Sequence, residues 1–250
     1  MKNLSKIAIL LLGGAALLPA SQLITLTGSL SATADFQFSN GSVTVTLTNT
    51  TPTKNAANLL TDFMFQLSNP AGGTVPVTVS SPVTGTGHLV NVDDNGSVVD
   101  YTGGQNPAWG FGVYHDSGLP AYNGLYLVCT VCGAGVQAPY QPSEGVLGPG
   151  TGSGTTPYST ANASIKNNTP HNPYFLNSVA FTFNGQDITT STKAANVYFS
   201  FGTQWGTEIP GGTTITGGEV PEPITFLLTG TALLGVGIVS RRRRGTRSKQ

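Results

Sequence analysis

Between about Leu23 and Thr216 the chain alternates apolar and polar positions with a period of two, and helical spacing is almost absent. Phe36 and Phe38 flank Gln37; Val43, Val45 and Leu47 interleave with Thr44, Thr46 and Thr48; Val179, Phe181 and Phe183 interleave with Ala180 and Thr182. Successive side chains of a strand point to opposite faces, so this pattern predicts strands with one buried and one wet face. Asp62 to Leu67, Val75 to Val79, His88 to Val92, Val98 to Tyr101, Leu125 to Val128 and Val197 to Phe201 are further strand candidates. Asn-Gly pairs punctuate the run at Asn40-Gly41, Asn95-Gly96, Asn123-Gly124 and Asn184-Gly185. They suit type I′ turns, whose two central residues both need positive φ. About nine or ten short strands so spaced predict an all-β fold, an antiparallel β-sandwich or jelly-roll-like domain. Lys54 to Leu60 is the single, short helix candidate.

The alternation fails from Gly133 to Asn172, where Gly, Pro, Ser and Thr dominate around Gly148-Pro149-Gly150-Thr151-Gly152-Ser153-Gly154. A stretch of this length without structure is unusual inside one domain. Two readings stand: a long excursion across the sandwich, held by Tyr140, Tyr158 and Ile165, or a linker between two small β units. No internal repeat is visible, so a solenoid or propeller is not indicated.

The two ends have a different pattern. Lys2 and Lys6 precede the apolar run Ile7 to Leu18, and Pro19, Ala20 and Ser21 follow. This is the layout of a secretory signal, here residues 1–21, with cleavage expected near residues 20–22 by signal peptidase after passage through the Sec machinery. Ala32-Thr33-Ala34 is a second small-x-small triplet, but it lies far from the apolar run and reads as part of the first strand. No Cys follows the run, which argues against a lipoprotein.

At the other end, Val220-Pro221-Glu222-Pro223 leads into the apolar stretch Ile224 to Val239, then Ser240 and Arg241-Arg242-Arg243-Arg244. Sixteen residues at about 1.5 Å each make roughly 24 Å of helix, short of the ~30 Å hydrocarbon core. A transmembrane helix over 224–240 would therefore span marginally, and the four arginines would stop it on the cytoplasmic side. Gly230, Gly235 and Gly237 would let another helix approach closely. The two prolines deny backbone hydrogen bonds and keep Glu222 extended outside the bilayer.

This proline-bracketed glutamate, short apolar helix and arginine cluster resemble the PEP-CTERM sorting signal of bacterial surface proteins, here residues 217–244 with a basic tail at 245–250. The resemblance implies processing by exosortase, a membrane-embedded cysteine transpeptidase-like enzyme, with Val220, Pro221, Glu222 and Pro223 as the recognised element. The segments Val43 to Thr50, His171 to Phe175 and Val197 to Thr203 also resemble stretches in one group of such proteins. That likeness implies a similar fold for the exported domain, 22–216, and brings no biochemical activity with it.

Charge sharpens the picture. The formal net charge of zero hides three basic residues (Lys54, Lys166, Lys193) against eleven acidic ones between the two ends, net −8, while the tail carries +6. Positive residues stay on the cytoplasmic side, so the asymmetry points to an acidic domain placed outside the cell. Only 9% of residues are charged. No cluster of Lys and Arg exists outside the tail to neutralise phosphates, which excludes a nucleic-acid binder.

Candidate chemistry is sparse. Cys129-Thr130-Val131-Cys132 is the one Cys-x-x-Cys. Zinc needs four ligands, and no second pair accompanies it; a redox pair wants a helix after the first Cys, where Gly133 and Gly135 stand instead. A disulfide closing a turn in an oxidising compartment is the simpler reading. His88, His115 and His171 are the only histidines, and no Gly-x-Ser-x-Gly or His-Glu-x-x-His motif accompanies them. His115-Asp116 are adjacent, and adjacent strand residues face opposite ways. Asp116 and Glu144 are acid candidates for glycoside hydrolysis only by elimination, and nothing in their surroundings favours them. Asp93-Asp94-Asn95-Gly96 with Asp100 offers oxygens for Ca²⁺ but reads better as a hairpin turn. Trp109, Phe111, Tyr114, Tyr122 and Tyr126 cluster among glycines. Of these, Trp109, Tyr114 and Tyr122 are candidates for stacking on sugar rings, with core packing as the competing use. The sequence thus predicts an exported, non-catalytic surface or matrix protein without metal or cofactor, associated with exopolysaccharide, or alternatively a carbohydrate-binding surface module using the aromatic-rich loop around Trp109.

Overall fold

The computed structural model describes residues 20–78, 83–103, 108–115, 122–130, 132, 136, 145–167 and 172–203. Within them lie thirteen strands: β1 (Ala20–Leu26), β2 (Ala32–Ser39), β3 (Ser42–Asn49), β4 (Leu60–Ser68), β5 (Val83–Thr84), β6 (Leu89–Val92), β7 (Val98–Asp100), β8 (Ala108–Val113), β9 (Tyr126–Cys129), β10 (Val146–Leu147), β11 (Tyr174–Leu176), β12 (Ser178–Asn184) and β13 (Lys193–Phe201). The described chain is all-β. A four-stranded sheet runs β1-β2-β3-β12, and a nine-stranded one runs β5-β8-β9-β4-β10-β11-β6-β7, with β13 on the other edge of β4. Every pair of these strands is antiparallel except β10–β11, which is parallel.

The period-two segments become the small sheet. Phe36, Phe38, Val43, Val45, Leu47, Val179, Phe181 and Phe183 all point inward and are buried. Across the interior they meet the odd-numbered residues of β4: Phe36 lies 5.9 Å from Phe63 and 5.8 Å from Phe65, centroid to centroid. Phe65 also contacts Tyr126 and Phe183. These tilted and edge-on pairings let aromatic rings fill the space between two sheets at the close packing of a protein interior. The outward residues of the small sheet form cross-strand rows of Thr and Ser, such as Thr25–Thr33–Thr48–Ser178, with Thr44 and Thr182 hydrogen-bonded at 3.1 Å.

Several expectations need correction. The Lys54–Leu60 helix is only a 3-10 turn, Ala56–Asn58, because Leu60 already pairs with Phe201 and Val146 in the large sheet. The first strand described starts at Ala20, paired with Phe38. Ala32-Thr33-Ala34 opens the second strand, with Ala32 and Ala34 in the core. Val75 to Val79 is no strand over its described residues; Thr74 bridges to Ser68 in the large sheet and Thr78 to Asn184 in the small one, so the segment crosses between sheets. The Asn-Gly turns are not type I′: Gly41, Gly96 and Gly124 have φ near +85°, but Asn40, Asn95 and Asn123 are not among the residues with positive φ. A positive φ at the glycine alone satisfies these turns.

The Gly/Pro-rich stretch is resolved in favour of the excursion over its described part. Residues 145–167 belong to the same compact unit as both sheets, Ala20–Glu219. Val146 and Leu147 enter the large sheet between β4 and β11. Tyr158 and Ile165 are buried beside Leu147, Val92 and Tyr174. The Tyr158 hydroxyl donates to the Gly148 carbonyl at 2.8 Å, and burial pushes its pKa up to about 12. Gly96 allows this packing, since a Cβ there would lie 2.3 Å from the Ser159 nitrogen. Tyr140 lies outside the described residues.

Candidate functional site

The aromatic stretch around Trp109, expected as a loop, is a strand and a turn, because residues 110–113 pair with β9 and residues 108–109 with β5. In β8, Trp109 and Phe111 point inward while Gly110 and Gly112 occupy the outer face. Trp109 is fully buried, 5.1 Å from Phe181, and among the described residues its indole Nε1 has no hydrogen-bond partner. Phe111 stacks on Tyr126 at 5.8 Å and also contacts Phe183. Tyr126 reaches the far side of the core, where its hydroxyl accepts from the Val77 N–H at 2.8 Å. Tyr114, also fully buried, sits on the opposite face of the large sheet with Met64, Leu125 and Leu127. Tyr122, partly buried, packs edge-on against Tyr114 and Tyr198. Trp109 and Tyr114 therefore present no ring face to a sugar, and the carbohydrate-binding expectation loses its central residue.

That opposite face carries a second, more polar group. Asp62 is buried on β4 between Ser200 of β13 and Cys129 of β9. Its Oδ1 accepts from the Thr130 N–H at 3.1 Å, and its Oδ2 from the Thr61 hydroxyl at 3.3 Å. Cys129 and Cys132 are joined in a disulfide with Cα atoms 5.2 Å apart. The bridge closes the chain back on itself just after β9, next to the Asp62–Thr130 bond. Asp62 is thereby a fastening for the end of β9, a buried carboxylate held by donors as such groups require.

The Asp93–Gly96 turn binds itself. Asp93 Oδ1 accepts from the Asn95 N–H at 2.9 Å and the Ser97 N–H at 2.7 Å, while the Gly96 N–H donates to the Asp93 carbonyl at 3.0 Å. Hydrogen bonding, first from the Ser97 backbone, lowers the Asp93 pKa below its ordinary 3.8. That oxygen is committed to the turn, which supports the hairpin reading over a cation site. Asp100 instead meets His88 Nε2 at 2.8 Å across the β6–β7 hairpin, with both side chains exposed. No cluster of three or more potential metal-ligating residues occurs among the described residues. His115 is exposed beyond β8; His171, Asp116, Glu144 and the sorting residues Val220 to Pro223 and Arg241 to Arg244 lie outside the described residues. Among those that are described, no helix is long and apolar enough to cross a membrane.

No protein-family model, curated protein or solved structure matches the chain.

Proposed function

We propose that this chain is an exported structural protein of the bacterial surface or extracellular matrix, delivered by the Sec machinery, freed by signal peptidase and sorted by exosortase. The carrying observation is the arrangement at 220–244: Val220-Pro221-Glu222-Pro223, a marginal apolar span and four arginines, in that order. The net −8 charge between Lys6 and Arg241, against +6 from Arg241 onward, supports the same topology. A span too short to anchor firmly suits a signal that is presented and then cut.

The domain itself, read as a β-sandwich, supports a structural role. Among the described residues most large aromatics lie in the core, and the outward rows of the small sheet carry mainly hydroxyls, with a single charge, Asp35, and one exposed apolar residue, Leu23. Such a neutral, hydrogen-bonding surface suits life among exopolysaccharide, which presents the same chemistry.

The test is a variant with Pro221, Glu222 and Pro223 all changed to Ala, compared with wild type in the native host. Intact-mass analysis of the surface fraction reads the mature C-terminus. The sorting reading expects wild type to lose the arginine tail and the variant to keep it, retained in the membrane. An unchanged C-terminus and unchanged release in the variant would refute it.

A further inference from the structure

The Asn-Gly pairs at 40–41, 95–96, 123–124 and 184–185 share a chemical weakness. Asparagine is thermolabile, and a following glycine puts no side chain in the way of attack by its own nitrogen. That nitrogen bonds to the asparagine Cγ, and the Cγ–Nδ2 bond breaks. The proton it loses leaves with ammonia, and water then opens the cyclic imide at either carbonyl. The product is aspartate or isoaspartate, and no oxidant or reagent other than water enters. A glycine N–H held by a carbonyl can neither shed its proton nor turn toward Cγ, so its hydrogen bond must open first.

All four glycine nitrogens are so held, but not equally. The Gly41 N–H donates to the carbonyl of buried Ile188 at 2.8 Å, and the Gly41 carbonyl accepts from the Gly185 N–H at 3.0 Å. Gly185 is itself buried, and a Cβ there would lie 2.5 Å from the Pro76 oxygen. The Gly96 N–H donates to the Asp93 carbonyl at 3.0 Å, and the Gly96 carbonyl accepts from the Tyr158 N–H at 2.9 Å. Gly96 is buried too, with the Ser159 nitrogen 2.3 Å from where a Cβ would stand. These three peptides cannot turn without parting segments that are distant in sequence.

Gly124 differs on each count. Its N–H donates to the Tyr114 carbonyl at 3.0 Å, the last described rung between the chain leaving β8 and the chain entering β9. Nothing lies within 4 Å of a Cβ built there, and both Asn123 and Gly124 are exposed. The end of a ladder opens at far lower free energy than its core, and opening this rung bares the nitrogen to solvent base.

We propose that Asn123 is a modification site of this protein: it converts to aspartate and isoaspartate while the chain stays folded, and the fold keeps the other three pairs intact. The product adds a carboxylate to a middle segment already at net −8. Isoaspartate also inserts a carbon into the main chain beside Tyr122, which packs on Tyr114 and Tyr198. This holds whether or not the C-terminal tail is processed.

The test incubates the full chain, folded in detergent, in mildly alkaline buffer, beside a sample unfolded in guanidinium. Peptide mapping by mass spectrometry reads the gain of about one dalton at each pair, and a shifted elution marks isoaspartate. In the folded sample Asn123 should convert at least about tenfold faster than Asn40, Asn95 and Asn184, and in guanidinium that excess should vanish. Hydrogen exchange gives a second reading: of the four glycine amides, that of Gly124 should exchange first. Folded conversion at any other pair that matches Asn123, or an Asn123 that stays intact while its unfolded counterpart converts, would overturn the proposal. So would an excess that persists in guanidinium, or a Gly124 amide as protected as the other three.

Discussion

The carboxamide of Gln22 makes both of its hydrogen bonds to the main chain of Ala194: Nε2 donates to the carbonyl at 3.1 Å and Oε1 accepts from the N–H at 2.8 Å. One side chain on the first strand thus does for the last strand what a neighbouring strand would do. It caps the edge of β13 where it passes beneath β1, and it joins the two sheets across 172 positions of sequence. Gln22→Ala removes both bonds from a partly buried site and should cost about 1–2 kcal/mol. Gln22→Glu turns a carboxylate toward the Ala194 carbonyl and should be no milder at neutral pH. Urea unfolding checks both; a Gln22→Ala midpoint equal to wild type would show that the clasp contributes nothing.

Trp109 sits in the core against Phe181, so its truncation is a packing defect before anything else. Trp109→Ala should destabilise by about 3–5 kcal/mol. Trp109→Phe, which keeps much of the volume and deletes the unpartnered Nε1–H, should cost clearly less. On a glycan array, Trp109→Phe should bind as wild type does, whatever that level is. Glycan binding lost in Trp109→Phe at unchanged stability would return the ring to a ligand role.

For Asp93 the sign of the pH effect follows from its lowered pKa. A carboxylate held below its unfolded value of 3.8 stabilises the fold above that pH, and the contribution disappears as pH falls through the folded value. The amides of Asn95 and Ser97, which donate to it, should therefore lose hydrogen-exchange protection on acidification below about 3.8, while the β4 amides keep theirs. Asp93→Ala should show the same weak protection at every pH. Protection that persists in Asp93→Ala would assign it to the turn backbone alone.

Cysteines 129 and 132 close a loop only three positions long in sequence. In the chain-entropy picture a loop this small yields about 2 kcal/mol, near the low end for disulfides. The paired change Cys129→Ala with Cys132→Ala should lower stability by roughly that amount and leave the Thr130–Asp62 fastening formed. The Thr130 amide also donates to the Thr61 carbonyl at 3.0 Å, so its exchange reports the whole fastening: loss of its protection would mean that the bridge is required to hold the end of β9 against Thr61 and Asp62.

Strands with clean alternation, β2, β3 and β12, are legible in the sequence, and their inward residues are the core. Those of β8 carry a readable signal too, since Trp109, Phe111 and Val113 alternate with Gly110 and Gly112. Large-small alternation is period two as surely as apolar-polar alternation is, and it reads as a loop only if glycine is taken solely as a turn former. β1 is obscured because Leu23 to Leu26 continues the apolar character of the leader ahead of it. β10 and β11, two and three residues long, have no periodicity to show; Val146 is a strand residue only because Leu60 and Phe175 flank it.

By itself the sequence determined what depends on local pattern: the strands of clean alternation, which way their side chains alternate, and the opposed charges of the middle and the tail. Those features follow from covalent periodicity and from composition, and need no partner to be stated. The tertiary structure alone decided which aromatic rings are interior, that Asp93 serves its own turn, and that Val146 and Leu147 bring the stretch 145–167 against the large sheet. Each of these depends on what lies opposite a residue in space, and in an antiparallel fold the residue opposite is often more than a hundred positions away.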